Sequence, residues 1–262
     1  MDSSTRHNPG SGNSPRIVLF AHDVVGAAIA DFVLREYRDD IVAVVLAEAA
    51  GPVAEVLDRH GLAPEKRLLW DPASVPAELA RLRPDDMLLV WWPHILREPL
   101  LSLPARALLN THPSLLPHNR GKHPNFWSLV EGRPFGVTIH YVNNSVDGGD
   151  VAFQLPIPAT WEDTGGTLYQ RARDAMVQLF VESYPEIRAG RIPRHSQDIA
   201  SGSFHLGQEL EPACVIDLDR QYTARDLLNL IRARTFPPYP GVRFRDGTAH
   251  YEVRISIERV DE

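Results

Sequence analysis

The first half of the chain alternates short apolar runs with amphipathic stretches, and this alternation constrains the fold most. The apolar runs are residues 17–20, 40–48, 86–92 and 107–110. The stretches between them that carry helical spacing are residues 24–38, 52–60 and 76–83. Strands that are apolar on both faces and alternate with helices form parallel sheets covered on both sides. The pattern therefore predicts an α/β fold with a Rossmann-like, mostly parallel sheet.

Ligands of such sheets bind outside the carboxyl ends of the strands. We therefore expect a site in the loops after Phe20, Trp92 and Asn110.

The second half of the chain has a different pattern. Two β-rich runs, residues 135–142 and the run from Val151, flank a polar loop at 143–150. A helix is predicted over 165–188, followed by a polar connector over 189–212. In the tail, a strand at 214–218, a helix at 223–233 and a hairpin turning at Asp246-Gly247 are predicted.

These boundaries divide the chain into three parts. Residues 1–15 are polar and rich in Ser, Gly and Pro, and we expect them to be a disordered tail rather than a signal peptide. Residues 16–204 are expected to form the catalytic domain. Residues 205–262 are expected to form a small helix and β-hairpin extension that could build a dimer interface.

Charge and cysteine content exclude several classes of function. The chain has 262 residues and a net charge of −7, which argues against a dedicated nucleic-acid surface. Its single cysteine rules out an intrachain disulfide and a cysteine zinc cluster, so a reducing cytoplasm is the expected compartment. No apolar stretch is long enough to predict a membrane span.

Three polar side chains at predicted strand and loop ends could carry chemistry. Asn110 and His112 are two residues apart, which places them on one side of a strand, and Asp147 follows in the polar loop. An amide can stabilise an oxyanion and an imidazole can move a proton. A nearby carboxylate could raise the pKa of the histidine. From residue types alone, ordinary turn and loop roles remain open for all three.

Residues 16–188 resemble the folate-dependent formyltransferases. The resemblance is strongest in HPSLLP at 112–117, Arg120-Gly121, the helix around Trp127, GVTIH at 136–140 and VDGGD at 146–150. It implies that Asn110, His112 and Asp147 are catalytic. It also implies that the co-substrate is N10-formyltetrahydrofolate, with no metal. The residues expected to bind that co-substrate are Pro93, His94, Ile95, Leu96, His140, Asn143 and Val146.

The tail resembles the nucleotide-sugar N-formyltransferases within that family. The segments that carry this likeness are NLIRARTFPPYPG at 229–241 and PHNRGKHPNFW at 117–127. The resemblance implies a homodimer that formylates a nucleotide-linked amino deoxysugar, for example of the dTDP-4-amino-4,6-dideoxyglucose type. The candidate acceptor-binding residues are Arg120, Gly121, Lys122, Asn125 and Trp127, with Arg234 as a further candidate for a diphosphate.

Other interpretations stay open at this point. The acceptor could be an amine on an antibiotic or amino-acid scaffold. An initiator-tRNA formyltransferase fits less well, because residues 205–262 carry 8 arginines, no lysine and 10 acids and so lack the excess positive charge that binds RNA. A glycinamide ribonucleotide formyltransferase fits less well, because those enzymes generally end soon after the long helix and have no such tail. Two alternatives come from other classes of protein. One is a ligand-binding protein without catalysis. The other is a zinc hydrolase that uses His112, His118 or His123 with Asp147.

Overall fold

A central sheet of seven strands carries the fold in the computed structural model, which describes residues 14–260. The predicted tail at 1–15 therefore lies almost entirely outside the described residues. The strands are β1 (Ile17–Ala21), β2 (Ile41–Leu46), β3 (Arg67–Leu69), β4 (Asp86–Val90), β5 (Ala107–His112), β6 (Arg120–Gly121), β7 (Gly136–Tyr141), β8 (Val151–Pro156), β9 (Phe204–His205), β10 (Val242–Asp246) and β11 (Ala249–Val253). The helices are α1 (Asp23–Glu36), α2 (Pro52–Arg59), α3 (Val75–Leu82), α4 (Pro124–Glu131), α5 (Gly165–Arg188), α6 (Leu210–Ala213) and α7 (Ala224–Arg234).

The order of the strands in the sheet indicates where a ligand would bind. The order is β3-β2-β1-β4-β5-β7-β8, with parallel pairing from β3 to β5 and antiparallel pairing of β7 and β8. The direction of the crossovers changes between β1 and β4, which is where ligands bind in open α/β sheets. The predicted mostly parallel α/β fold is confirmed.

Each face of the sheet has its own apolar core. Along β1, Leu19 packs into the core under α1, α2 and α5, while Val18 and Phe20 pack into the core under α3. Side chains of a strand alternate between its two faces, so one apolar run supplies both cores. For this reason each predicted strand is a continuous apolar run in the sequence and not an alternation of apolar and polar residues.

The C-terminal extension contains α7 and the hairpin β10–β11, as predicted, and also the short helix α6. Thr223 caps α7 by accepting a hydrogen bond from the Asp226 N–H at 3.1 Å. The predicted strand at 214–218 is wrong, because this segment forms only one isolated bridge, between Val215 and Arg243.

The connector is more structured than its polar composition indicates. Its short strand β9 pairs in parallel with β6, which places Phe204 beside Arg120 and His205 beside Gly121. Among residues 14–260, no helix is both long and apolar enough to cross a membrane.

Candidate active site

A cavity of about 910 Å³ opens at the carboxyl ends of β1, β4 and β5. Its walls include the loops after those strands, as expected from the sheet topology, and the loop between β7 and β8. The connector and the loop after α7 complete the far wall. Residues of the central α/β part and of the C-terminal extension therefore both line one cavity.

The cavity brings together Asn110, His112 and Asp147, which are distant in sequence. The Asn110 Nδ2 donates to Asp147 Oδ1 at 3.5 Å, and His112 Nδ1 lies 3.5 Å from Asp147 Oδ2. Asn110 and His112 share one side of β5 because they are two residues apart. The amide, the imidazole and the carboxylate thus meet at one point of the cavity wall.

His140 on β7 orients the Asn110 amide. The His140 Nδ1 lies 2.8 Å from the Tyr141 carbonyl oxygen, which can only accept, so Nδ1 carries the hydrogen. Its Nε2 then accepts from Asn110 Nδ2 at 3.1 Å and lies 3.5 Å from Asp147 Oδ1. His140 was predicted as a residue of the co-substrate site, and the structure places it between two of the proposed catalytic side chains.

The loop between β7 and β8 holds Asp147 in a fixed position. Asp147 itself adopts a left-handed conformation, with φ of 49°. Gly149 is required there because a Cβ would collide with the Tyr141 carbonyl oxygen. The Gly121 N–H donates to Asp147 Oδ2 at 2.9 Å. Backbone geometry on both sides therefore aims the carboxylate at His112.

The electrostatics of the Asp147–His112 pair differ from the expectation for His112. Burial lowers the pKa of His112, and this effect outweighs the attraction of Asp147, which acts to raise it. Burial raises the pKa of Asp147, but His112, His140 and the Gly121 N–H outweigh it and hold that pKa well below its usual value. Asp147 therefore acts on the pKa of His112 in the expected direction, but burial outweighs it, which favours a neutral imidazole beside the carboxylate.

The residues predicted for the co-substrate lie on one side of the cavity. They are Pro93, His94, Ile95, Leu96, His140, Asn143 and Val146, and all of them line its wall. Beneath them, Trp92 packs edge-on against Phe20 and Trp70. The Trp92 indole nitrogen is buried without a hydrogen-bond partner. Leu89, Leu96 and Val142 also line the cavity, and they offer apolar surface against which a flat heteroaromatic ring can pack.

Only some of the residues predicted to bind the acceptor line the cavity. Gly121, Lys122, Asn125 and Arg234 line the cavity, although Asn125 uses its amide to donate to the Gly165 carbonyl oxygen at 2.8 Å. Arg120 and Trp127 do not line it.

The positions of these two side chains argue against direct substrate contact. Arg120 lies over the Phe204 ring, 5.7 Å from its centroid. Trp127 is buried and stacks on His205 with ring centroids 3.8 Å apart.

Several lining residues were not predicted. Phe204, His205 and Leu206 come from the supposed polar connector, and Tyr169, Phe236 and Tyr239 form an aromatic wall near Trp91. The one available signal was Phe204-His205 within an otherwise polar segment. Among the described residues, no group of three or more His, Cys, Asp or Glu side chains is placed to hold a metal ion.

The fold and the site together define a Rossmann-like α/β enzyme with an amide, an imidazole and a carboxylate at the switch point of its sheet. Comparison with known families assigns it further. Residues 30–184 match the family described as formyl transferase, and residues 209–259 match the N-formyltransferase dimerization C-terminal domain. The first match covers more than half of the chain, so the chain belongs to the formyl transferase family. The predicted resemblance is confirmed.

Solved structures show the same fold. A Mycobacterium tuberculosis protein thought to be a sugar N-formyltransferase is 25% identical, with a TM-score of 0.78 over 95% of this chain and 100% of that one. A 4-N formyltransferase from Francisella tularensis is 21% identical, with a TM-score of 0.80 over 95% and 100% of the two chains. An N-formyltransferase from Helicobacter canadensis, solved with folinic acid and dTDP-3-aminofucose, is 17% identical, with a TM-score of 0.71 over 86% and 82%.

Proposed function

We propose that the protein transfers a formyl group from N10-formyltetrahydrofolate to the amino group of a nucleotide-linked amino sugar. The observation that carries the proposal is the convergence of Asn110, His112 and Asp147 at one point of the cavity. The match to the formyl transferase family supports the reaction class. The Helicobacter relative, solved with folinic acid and a dTDP-amino sugar, supports the two substrate classes.

The proposed donor fits the side of the cavity around Trp92. A pterin offers a flat ring with hydrogen-bond donors and acceptors on one edge. Leu89, Leu96 and Val142 supply an apolar wall for such a ring. When bound, the donor supplies the formyl carbon, to which the amine nitrogen forms a bond as the bond from that carbon to the donor nitrogen breaks.

Asn110 is proposed to stabilise the negative charge that develops on the formyl oxygen. Its Nδ2 is oriented by His140 at 3.1 Å, and its second hydrogen, which donates to Asp147 over a long 3.5 Å, is proposed to turn to the formyl oxygen when the donor binds. A preorganised donor of this kind contributes about 10²–10³ in rate. His140 therefore acts as a positioning residue for Asn110.

His112 is proposed to move the proton. Because burial lowers its pKa, the ring is neutral and can accept the proton that the amine nitrogen loses. It can then return that proton to the donor nitrogen as the bond to the formyl carbon breaks, so no net proton remains on the enzyme. The ionised Asp147, 3.5 Å from Nδ1, stabilises the imidazolium formed between these two steps.

The acceptor is proposed to lie on the side of the cavity formed by the connector and the loop after α7. Lys122 and Arg234 line this side and provide positive charge for a diphosphate. The rings of Phe236 and Tyr239, with centroids 5.1 Å apart, add apolar surface. A sugar of the dTDP-4-amino-4,6-dideoxyglucose type is our first candidate acceptor.

The working unit is proposed to be a homodimer in the cytoplasm. Residues 209–259 match a dimerization domain, and the hairpin β10–β11 leaves Tyr251 exposed. Cys214, the single cysteine, is buried and free, which fits a reducing compartment.

A direct assay tests the proposal. Purified protein is incubated with N10-formyltetrahydrofolate and a panel of amino sugars linked to dTDP, UDP or GDP, with non-sugar amines as a second panel. The expected product is a formamide from at least one nucleotide-linked sugar, detected by mass spectrometry. Asn110→Ala should lower kcat about 10²–10³-fold. Turnover of the non-sugar panel alone, or an Asn110→Ala protein as fast as wild type, would overturn the proposal.

A further inference from the structure

Arg234 is a buried cation in the wall of the cavity. It is the last residue of α7, and its side chain is only 10% exposed. A charge so far from water needs a partner, because a buried charge without one is strongly destabilising. In the described part of the chain the acid paired with it is Glu211, whose Oε1 accepts from Arg234 Nη2 at 2.6 Å. Glu211 lines the same cavity, so the pair lies where a ligand could reach it.

The contact between Arg234 and Glu211 is of a kind that can be exchanged for another anion. In a firmly held pair of this protein, Arg188 donates from both Nε and Nη2 to the buried Asp40. Arg234 donates only from Nη2, and its Nε has no hydrogen-bond partner. The Glu211 side chain is also 65% exposed, so its carboxylate can turn into water at little cost. The cation is therefore fixed by burial, whereas its counter-ion is held by one contact.

Positive charge is concentrated around this pair. Lys122 and His123 line the same cavity. The pKa of His123 is lowered, first by burial and then by the charges of Arg234 and Lys122, whereas Glu211 acts to raise it. The two cations and Glu211 therefore act on one point of the wall. Without the charge of Glu211 this part of the wall is strongly positive, which matches a diphosphate.

We infer that Glu211 is a specificity-determining residue, which the diphosphate of the acceptor replaces on Arg234. A phosphoryl group offers several oxygens to a guanidinium and brings the negative charge that Glu211 otherwise supplies. Because Glu211 has to be displaced, a weakly charged group exchanges less readily than a diphosphate does. Glu211 therefore sets the affinity for the nucleotide. The inference rests on the proposed class of acceptor and adds the residue that discriminates within it.

Glu209 provides a matched control two residues earlier in the chain. Its Oε2 lies 3.0 Å from His205 Nδ1, and its Oε1 accepts from the Leu206 N–H at 3.0 Å. It contacts these groups instead of Arg234, and it is not among the residues that line the cavity. Glu209→Gln therefore removes the same charge from the same segment as Glu211→Gln but leaves Arg234 paired.

The test is calorimetric titration of the full-length protein with dTDP, UDP and GDP, which bind without reacting. Glu211→Gln should tighten the binding of the best of the three about three- to tenfold, because an exposed ion pair no longer competes and a like charge is removed. Glu209→Gln should stay within about 1.5-fold of wild type, since surface charges away from the ligand are screened. In an Arg234→Met background, the gain from Glu211→Gln should be smaller, because the cation for which both anions compete is absent.

Kinetics provide the second readout. In Glu211→Gln, KM for the nucleotide-linked amino sugar should fall by the same factor with kcat within about twofold of wild type, and KM for the same amino sugar without its nucleotide should not change. The inference is overturned if Glu211→Gln binds none of the three nucleotides more tightly than wild type, or if no binding is measurable for any of them. An equal gain in Glu209→Gln also overturns it. If the nucleotides bind as expected but no amine is formylated, the exchange on Arg234 stands and only the proposed function fails.

Discussion

Replacing Asp147 with asparagine tests the charge of the proposed catalytic carboxylate at nearly constant shape. The asparagine oxygen can still accept from the Gly121 N–H, but the negative charge 3.5 Å from His112 Nδ1 is lost. Two unit charges at that distance attract by about 5 kcal/mol at an effective dielectric constant of about 20. His112 is neutral before it takes the proton, so this attraction appears mainly as the proton is transferred. We expect about 3–4 kcal/mol of this attraction to be lost from the transition state, which raises the barrier and lowers kcat about 10²–10³-fold.

The assay is a steady-state measurement of formamide production with the best acceptor of the panel. Asp150→Asn is the matched control, because it makes the same chemical change in the same loop. Asp150 pairs with Arg194 at 3.0 Å and does not line the cavity. The control should keep kcat within about threefold of wild type. If Asp147→Asn also stays within that range, the charge of Asp147 has no part in the reaction and the reasoning is refuted.

Four further outcomes are expected. Because burial holds the pKa of His112 below its ordinary value of about 6.5, kcat should be constant above that pH and fall as pH drops through the lowered pKa; a fall that begins near pH 8 would contradict this. Gly149→Ala should abolish turnover, because a Cβ meets the Tyr141 carbonyl, while the far-UV circular dichroism stays that of a folded protein; full activity would show that the loop is adaptable. Arg232→Met removes the buried side chain that donates to the Thr160 and Asp163 carbonyl oxygens, and it should lower the free energy of unfolding in urea by about 1–3 kcal/mol. An unchanged midpoint of urea unfolding would show that these carbonyl oxygens find other partners. Tyr251→Glu on the exposed hairpin should shift sedimentation velocity from dimer to monomer, and an unchanged dimer would place the interface elsewhere.

The main fold was predictable because its strands are buried on both faces. The run at 17–20 is apolar at every position since β1 supplies both cores, and such runs stand out in the sequence. The segment at 214–218 misled because Val215 and Leu218 are apolar, yet both are more than half exposed and form no ladder. The spacing of apolar residues indicates that a segment could be a strand, but it does not indicate whether a neighbouring strand is present to form hydrogen bonds with it.

The site was predictable where a motif fixes local geometry. Asn110 and His112 share one side of β5 by spacing alone, and the resemblance supplied Asp147. The lowered pKa of His112 could not be predicted, because it depends on burial that the whole fold creates. The contribution of Phe204 and His205 to the cavity wall was equally hidden, since a polar connector gives no sign that it pairs with β6 and lines a cavity.

The pairing of β9 with β6 has a consequence for engineering. Gly121, which donates its N–H to Asp147, is paired in register with His205, and a Cβ on Gly202 would collide with the Pro117 carbonyl. A chimera that takes residues 189–262 from a relative therefore replaces the strand that pairs with Gly121, along with the parts of the connector and of the loop after α7 that line the cavity. Junctions placed after residue 205 keep the native partner of β6, whereas junctions between 189 and 203 replace it, although Gly121 and Asp147 themselves stay native.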